Sequence, residues 1–287
     1  MTPSAKRQAI AELHETHGLP VRRACAAVRL SRAAYYRPPD PQARIARDRP
    51  VIDALRAVVA ENPRLGFWKC FDIMQLEGTA WNHKRVHRVY CALRLNIPRR
   101  TRRRIPQRIR YPLRAPRALN ITWAMDFMLD TLYDGRRFRT LNVIDEANRE
   151  ALGIEIGVTL PSLRVIAVLE ELVALHGAPK HLRVDNGPEL RSLALTAWCE
   201  SRGIHLHYIQ PGRPAQNAFI ERFNRTYRTE VLDAYVFTSL AEVRELTSGW
   251  LYRYNTKRPH DSLGRVPPLT YRPRPTALPE SISELST

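Results

Sequence analysis

The first third of the chain carries apolar residues at intervals of three and four, which predicts helices rather than strands. Residues 4–37 divide into three short helices, and Ser31 is placed to cap the third. In VRRACAAVRLSRAAYYR the apolar positions form one stripe and arginines occupy the remaining surface. A helix-turn-helix needs that division, because one side packs against its own core and the other meets DNA. We therefore predict an N-terminal helix-turn-helix over residues 1–40, with a plain basic helical hairpin as the alternative.

A second helical pattern occupies residues 44–95, after a proline-rich break. Pro63 and Gly66 interrupt it, and Asn82 is a candidate cap for its last helix. The apolar face of that helix is formed by Val86, Val89, Tyr90 and Leu93. Its basic residues lie off that face and are candidate DNA contacts: Lys84, Arg85 and Arg88. The pattern predicts a second helix-turn-helix-like domain, although an ordinary solvated face would have the same sequence.

Residues 96–119 alternate prolines with runs of arginine. The prolines prevent a regular helix, and the arginines make the segment strongly positive. It is typical of an extended linker that follows a DNA backbone, with Arg102, Arg103 and Arg104 as candidate phosphate contacts. A merely solvated run of charge is the alternative.

From residue 120 onwards the pattern changes to strands and helices. WAMDFMLD, RFRTLNVIDEA and ALGIEIGV predict three strands in series. Helix and strand segments then alternate: LRVIAVLEELVALHG, KHLRVDNG, SLALTAWCESRG, IHLHYI and a helix over about 215–232. Gly177 lies where the first of these helices should stop. The order predicts an α/β domain over residues 120–235, a mixed sheet with helices on both faces.

The last segment, residues 236–287, combines an aromatic helix with a proline-rich tail. We expect Trp250, Tyr254 and Tyr271 to pack against the core rather than stack on bases. Arg258, in the same segment, is a further candidate DNA contact.

The net charge of the chain limits the classes of binding partner that we expect. Lys and Arg number 46 against 28 Asp and Glu, a formal net charge of +18. Such an excess favours nucleic acid, because bound phosphates release their counterions, while a ribosomal or anionic-membrane role is the alternative. Four scattered cysteines without a CxxC pair, and no apolar run near 18 residues, favour a cytoplasmic protein without a membrane span.

Three carboxylates carry the candidate chemistry. Asp126 lies in the first strand of the α/β domain, Asp185 at the end of the fourth, and Glu221 on a later helix. Residues 186–220, 35 in all, separate the last two. A strand–helix–strand–helix run of that length returns beside its starting strand, so the three can converge. Oxygen ligands of this kind suit Mg²⁺ or Mn²⁺, and two such ions per site assist an in-line displacement at phosphorus.

Other polar residues near this site are less favoured as metal ligands or are candidates for other roles. Asp145 is the rival for the second carboxylate, although a hydrogen-bonded strand end is its expected role, and Glu189 is a candidate supporting residue. Arg225 and Arg228 share a helical stripe with Glu221 and, with Asn217, are candidate DNA contacts. An exposed Glu–Arg pair without chemistry is the alternative for Glu221 taken alone.

Five motifs give the chain a resemblance to a known family: WAMDF, VIDEANR, VDNGPE with its 35-residue gap to Glu221, PGRPAQNAFIERFNR and YNTKRPHDSLGRVPPLTY. Together they resemble the DDE transposases of the IS-three family of bacterial insertion sequences, whose cores are similar to retroviral integrases. The N-terminal RRACAAVRLSRAAYYR is also similar to that family.

The resemblance implies an RNase H-like integrase core with Asp126, Asp185 and Glu221 as metal ligands. It implies that water cuts one strand at the element's terminal inverted repeat, and that the resulting 3′-hydroxyl attacks target DNA. It also implies a nucleoid-associated bacterial protein, acting as a homo-oligomer on DNA. An upstream-frame helix-turn-helix protein is a further expected fusion or partner.

Two rival functions remain open at this point. The first is a hydrolytic RNase H-like nuclease that cuts without joining. The second is a DNA-binding repressor with an inactive core, against which the intact carboxylate set weighs.

Overall fold

The computed structural model describes residues 1–37, 41–97, 113, 115–187, 189–210 and 214–274. The chain divides into two compact units, Met1–Asp53 and Ala54–Thr287. The finer domain boundaries expected at residues 40, 95, 119 and 235 stay predictions.

The first unit contains the three predicted helices. They are α1 (Pro3–His17), α2 (Val21–Ala27) and α3 (Arg32–Tyr36). Ser31 caps α3, because its side chain accepts a hydrogen bond from the Ala34 backbone N–H. A small core of Ile10, Ala24 and Cys25 holds the unit together. A longer helix, α4 (Pro41–Glu61), then begins and runs across the boundary between the units.

Two further helices belong to the second unit, α5 (Phe67–Leu76) and α6 (His83–Ala92). The Asn82 side chain accepts from the Lys84 N–H at 2.8 Å and so caps α6, as predicted. Val86, Val89 and Tyr90 are buried, which confirms the apolar face expected for this helix.

A five-stranded mixed sheet forms the centre of the second unit. Its strands are β1 (Thr122–Thr131), β2 (Arg137–Asp145), β3 (Ala151–Gly157), β4 (His181–Val184) and β5 (His205–Tyr208). They lie in the order β3-β2-β1-β4-β5. The first three pair antiparallel as a meander, while β4 and β5 run parallel to β1. The predicted mixed sheet is therefore confirmed.

Helices cover both faces of this sheet. On one face, α7 (Ser162–His176) and α8 (Leu193–Ser201) enclose a core that includes Trp123 and Met125 of β1. On the other, α9 (Ala218–Tyr227) and α10 (Leu240–Thr256) enclose a core that includes Ala124. The two cores alternate along β1 because successive strand residues point to opposite faces.

The last described helix after α10 is α11 (Pro268–Tyr271). Trp250 and Tyr254 are buried, as expected, at 5% and 4% exposure. The expectation for Tyr271 was wrong, because that ring is 44% exposed. It lies at the end of the one-turn helix α11. Within the described ranges, no helix is both long enough and apolar enough to cross a bilayer.

Candidate active site

The parallel pairing of β1 with β4 brings the first two carboxylates side by side. Its register runs from Thr122 opposite His181 to Ala124 opposite Arg183. Two residues further along both strands, the same register sets Asp126 opposite Asp185. Because residues two apart share a face, both aspartates lie on the face that α9 covers. Asp185 is the first residue after β4, so its carboxylate stands at the strand's end.

Helix α9 brings Glu221 to the same place. Ile220, Phe223 and Tyr227 are buried against the sheet, so the helix orientation is fixed. Glu221 lies in the first turn of α9 and one turn before Asn224. Asn224 donates its Nδ2 hydrogen bond to Asp126 Oδ2 at 2.8 Å. This hydrogen bond holds the first turns of α9, which include Glu221, close to Asp126.

The protonation of Asp126 is influenced by both of the other acids. The pKa of Asp126 rises to about 6, first because the carboxyl is buried and next because the charge of Asp185 opposes its ionisation. The charge of Glu221 raises that pKa as well, while hydrogen bonds from the Phe127 N–H and Asn224 lower it. In the described part of the chain, no lysine or arginine forms an ion pair with any of the three carboxylates.

This donor set fits a hard divalent cation. Carboxylate oxygens are the ligands that Mg²⁺ prefers, and the raised pKa of Asp126 reports negative charge that a cation would neutralise. As they stand in the ranges described, no three His, Cys, Asp or Glu side chains lie close enough to share one ion.

A pair of buried asparagines supports Asp126, and sequence reasoning missed both roles. Asn142 is the cross-strand partner of Asp126 and is fully buried. Its Nδ2 donates to Asn224 Oδ1 at 2.7 Å, so the two amides and the carboxylate form a chain. The available signals were a polar residue inside the apolar strand LNVID and an amide one turn after Glu221.

The two secondary acids have structural partners. Asp145 is fully buried at the end of β2, where its carboxylate accepts from the backbone N–H groups of Asn120 and Ala147. It also forms an ion pair with Arg274 at 2.8 Å. This is the hydrogen-bonded strand end expected for it, rather than the rival metal ligand. Glu189 forms an ion pair with Arg139 of β2, which lowers the pKa of Glu189.

The predicted DNA contacts near α9 differ in their surroundings. Arg225 is exposed on the helix. Arg228 opens a π-helical turn, Arg228–Leu232, and donates to Asp130 Oδ2 at 3.1 Å and to the Leu129 carbonyl at 2.8 Å. Asn217 is buried, at 3% exposure. Arg258 is half-buried and forms an ion pair with Glu230 at 2.7 Å. Of these four, only Arg225 presents its side chain openly to solvent.

The remaining predicted contacts belong to α6 and to the arginine-rich segment that follows it in the sequence. Lys84 is exposed on α6, and Arg85 and Arg88 are half-buried on the same helix. Arg102, Arg103 and Arg104 lie outside the residues that the structure describes. Their contacts with DNA stay predictions.

Comparisons with known proteins agree with this geometry. Two family models, each described as an integrase core domain, match residues 116–214 and 202–268. The chain is 36% identical to an uncharacterized protein of insertion element IS476 from Xanthomonas euvesicatoria, over 94% of this chain and 78% of that protein. It is likewise 36% identical to an uncharacterized protein of insertion element IS407 from Burkholderia multivorans, over 89% of this chain and 91% of that protein.

A solved structure shares the fold. It is the cryo-EM structure of the simian T-cell lymphotropic virus intasome in complex with PP2A regulatory subunit B56 gamma. One of its chains matches with a TM-score of 0.50 and 19% identity, covering 77% of each chain. At that identity the likeness concerns the fold alone. It agrees with the mixed sheet and two helical layers described above, and the RNase H-like α/β prediction is confirmed.

Proposed function

Because the chain belongs to the integrase-core family of insertion-element proteins, we propose that it is a DNA transposase of the DDE class. The observation that carries the proposal is that Asp126 lies on one sheet face with Asp185 and Glu221 beside it: burial first, and then the charges of those two acids, raise the pKa of Asp126 to about 6. The function agrees with the one that the sequence motifs predict. Neither the hydrolytic nuclease nor the inactive repressor is favoured by a specific observation.

The three carboxylates would hold the metal. Two divalent ions, Mg²⁺ or Mn²⁺, would provide positive charge at the attacking and the leaving oxygen when bound. The protein's own contribution is to fix the ligands. Asn224 orients the Asp126 carboxylate through its hydrogen bond, and Asn142 holds the Asn224 amide in turn. Partial burial of Asp126 strengthens the attraction of its carboxylate for a cation.

The proposed reaction has two steps at phosphorus. In the first, a water oxygen attacks a phosphate at the element's end, and the phosphorus–oxygen bond to the 3′-oxygen breaks. The 3′-oxygen takes a proton and becomes a hydroxyl. In the second, that hydroxyl attacks a phosphate of the target DNA, whose own 3′-oxygen leaves. No external energy source is required, because each step forms one phosphorus–oxygen bond and breaks one.

Several finer assignments belong to the same proposal. The tail motif YN…RPH…SL…P…Y supports the IS-three branch of insertion sequences. A homo-oligomer is favoured because two DNA ends must be held together for joining. The substrates would be terminal inverted repeats and target DNA, which places the protein at the bacterial nucleoid. An upstream-frame helix-turn-helix protein is a further partner in the proposal.

The test of the proposal is a joining assay. Purified protein, Mg²⁺ and a labelled element end should yield product joined to a second DNA. Asp185→Asn should abolish cutting and joining while leaving DNA binding intact, because it removes a ligand charge but no basic residue. Products that are nicked and never joined would identify the nuclease instead. DNA binding with no catalysis in the wild type would identify the repressor.

A further inference from the structure

A basic cavity lies against the helix that bears Glu221. Its volume is about 250 Å³, enough for several water molecules. One wall is α9 itself, through Phe219, Arg222 and Thr226. Lys69 of α5 and Arg149 of the turn after β2 contribute further positive charge. The cavity is separate from the carboxylates, because none of the three acids lines it.

The charges of the cavity are unbalanced. Two of its cations have acidic partners: Lys69 lies 3.5 Å from Asp261, and Arg258 lies 2.7 Å from Glu230. Arg149 and Arg222 form no ion pair with a carboxylate anywhere in the described chain, although the charge of buried Glu146 acts on Arg149. Burial lowers the pKa of Lys69, and the positive charge of Arg258 lowers it further. Excess positive charge in a concave site favours an anion.

The guanidinium of Arg149 has a fixed orientation at the cavity. Its backbone has φ 64°, the left-handed conformation of the turn between β2 and β3, where the Arg149 N–H donates to the Asp145 carbonyl at 3.0 Å. Its guanidinium lies 3.5 Å above the Phe219 ring, which fixes the plane of the group. Its Nη1 is buried without a hydrogen-bond partner in the described chain. A planar donor group fixed in this way matches the geometry of phosphate oxygens.

His260 adds an independent observation. The residue lines the cavity, is 9% exposed and packs edge-on against Tyr254 with centroids 4.7 Å apart. Its Nε2 has no hydrogen-bond partner among the described residues. Burial first, and then the charges of Arg258 and Lys69, lower the pKa of His260 to about 3, so the ring is neutral. Its unpaired Nε2 can accept a hydrogen bond from a water at the cavity wall.

We propose that this cavity binds a phosphate of the DNA strand whose reacting phosphate lies at the three carboxylates. The inference rests on the proposed function. Glu221 and Arg222 are consecutive residues of α9, so the two sites are on the order of one helix diameter apart, ~10 Å. A few nucleotides of one strand span that distance, because successive phosphates rise about 3.4 Å along the duplex axis and lie further apart along the backbone. The cavity would thus fix the strand's position relative to the carboxylates.

The test compares Arg222→Gln with Arg202→Gln. Arg222 is exposed and not ion-paired in the described chain, so its loss should leave folding intact. Arg202 follows α8 on the other face of the sheet, is likewise exposed and serves as the charge control, with Glu170 3.5 Å away as its surface partner. The affinity for an element-end duplex is measured against salt concentration. Arg222→Gln should weaken binding about tenfold at low salt. It should also flatten the slope of log K against log salt by about 0.9, whereas Arg202→Gln should change neither.

A second variant series and a second ligand sharpen the result. Arg149→Lys should retain part of the affinity that Arg149→Gln loses, because the charge remains while the planar fork is lost. Inorganic phosphate, titrated into the protein alone, distinguishes the source of the phosphate. If it raises the melting temperature in an Arg222-dependent way while the DNA salt slope is unaltered, the site takes free phosphate and the proposal is overturned.

The outcome is separable from that of the transposase proposal. If the wild type cuts and joins but Arg222→Gln binds DNA with an unchanged salt slope, the cavity proposal fails and the function stands. If the wild type neither cuts nor joins but the slope still falls in Arg222→Gln, the phosphate site stands and the function fails.

Discussion

At the scale of single residues, Asp126 explains most about the site. Its carboxyl is buried, faces two other acids and receives two neutral hydrogen bonds. A buried carboxylate without a cation destabilises a fold, since its charge has been taken from water without compensation. The arrangement becomes favourable only when a cation is bound. The acids of the site therefore reduce stability in the absence of the ions that function requires.

This cost predicts that Asp126→Asn stabilises the protein in a metal chelator. The folded state holds the Asp126 proton up to about pH 6, whereas the unfolded chain releases it near 3.8. The folded wild type therefore loses stability relative to the variant as the pH rises through that window. At pH 7 the variant should be more stable by up to about 3 kcal/mol, and at pH 3 the difference should vanish. Chemical denaturation at a series of pH values measures this.

Asp134→Asn is the matched control. Asp134 is an exposed hairpin acid whose pKa is lowered by hydrogen bonds from Arg136, so its removal should bring no gain at neutral pH. A gain for Asp126→Asn that is equal at pH 3 and pH 7 would show that the charge of Asp126 is not its source.

At the scale of elements, the site is made by one parallel strand pair and one helix. β1 and β4 set two carboxylates in register, and α9 crosses the same face with the third. The π-helical turn Arg228–Leu232 follows α9 directly. Its Glu230 accepts from Trp250 Nε1 at 2.9 Å and binds Arg258 through two carboxylate oxygens. These contacts fix the far end of α9 to α10 and the segment after it.

We predict that Arg258 acts on stability and Arg225 on DNA. Arg258→Gln leaves the Glu230 charge buried and unpaired, which should cost about 3 kcal/mol or more in the free energy of unfolding. Arg225→Gln removes an exposed charge one turn from Glu221. It should leave stability within about 0.5 kcal/mol and flatten the salt dependence of DNA binding by about 0.9. Denaturation curves and salt titrations on both variants measure these effects. Unchanged stability with weakened DNA binding in Arg258→Gln would instead assign Arg258 to the DNA interface.

At the scale of the whole molecule, the end of the described chain closes back onto the sheet. Arg274 forms ion pairs with Asp145 at 2.8 Å and with Glu150 at 2.6 Å. It also donates to the Asn120 side chain and the His176 carbonyl. Both acids are buried, so one arginine neutralises two charges that the VIDEANRE segment places inside the protein. The strand ends opposite the carboxylate site depend on this arginine.

Arg274→Gln should therefore destabilise the protein strongly. It leaves Asp145 and Glu150 buried without a cation, and a loss of about 3 to 5 kcal/mol in the free energy of unfolding is expected. Arg164→Gln is the control, because its pair with Glu155 is at the surface and should cost at most about 1 kcal/mol. Urea denaturation of the two variants measures the difference. Equal effects would mean that the Arg274 cluster is solvated in solution.

The sequence by itself determined the elements and the candidate ligands. Hydrophobic periodicity and capping residues predicted two helix starts, at Ser31 and Asn82, and one helix end, at Gly177. These features could be predicted because their signals are local in the sequence. The strand–helix order and the spacing of Asp126, Asp185 and Glu221 were enough to predict a mixed sheet whose acids converge. Charge gave the class of partner, since it needs no coordinates.

Tertiary structure alone decided which polar residues support the site and which support the fold. Asn224 meets Asp126 across 98 residues of chain, and Arg274 meets Asp145 across 129. Arg258, a candidate DNA contact by sequence, is held by a carboxylate 28 residues away. An arginine has the same charge whether it meets a phosphate or a buried glutamate. Its role is set by neighbours that only the packing of distant segments supplies.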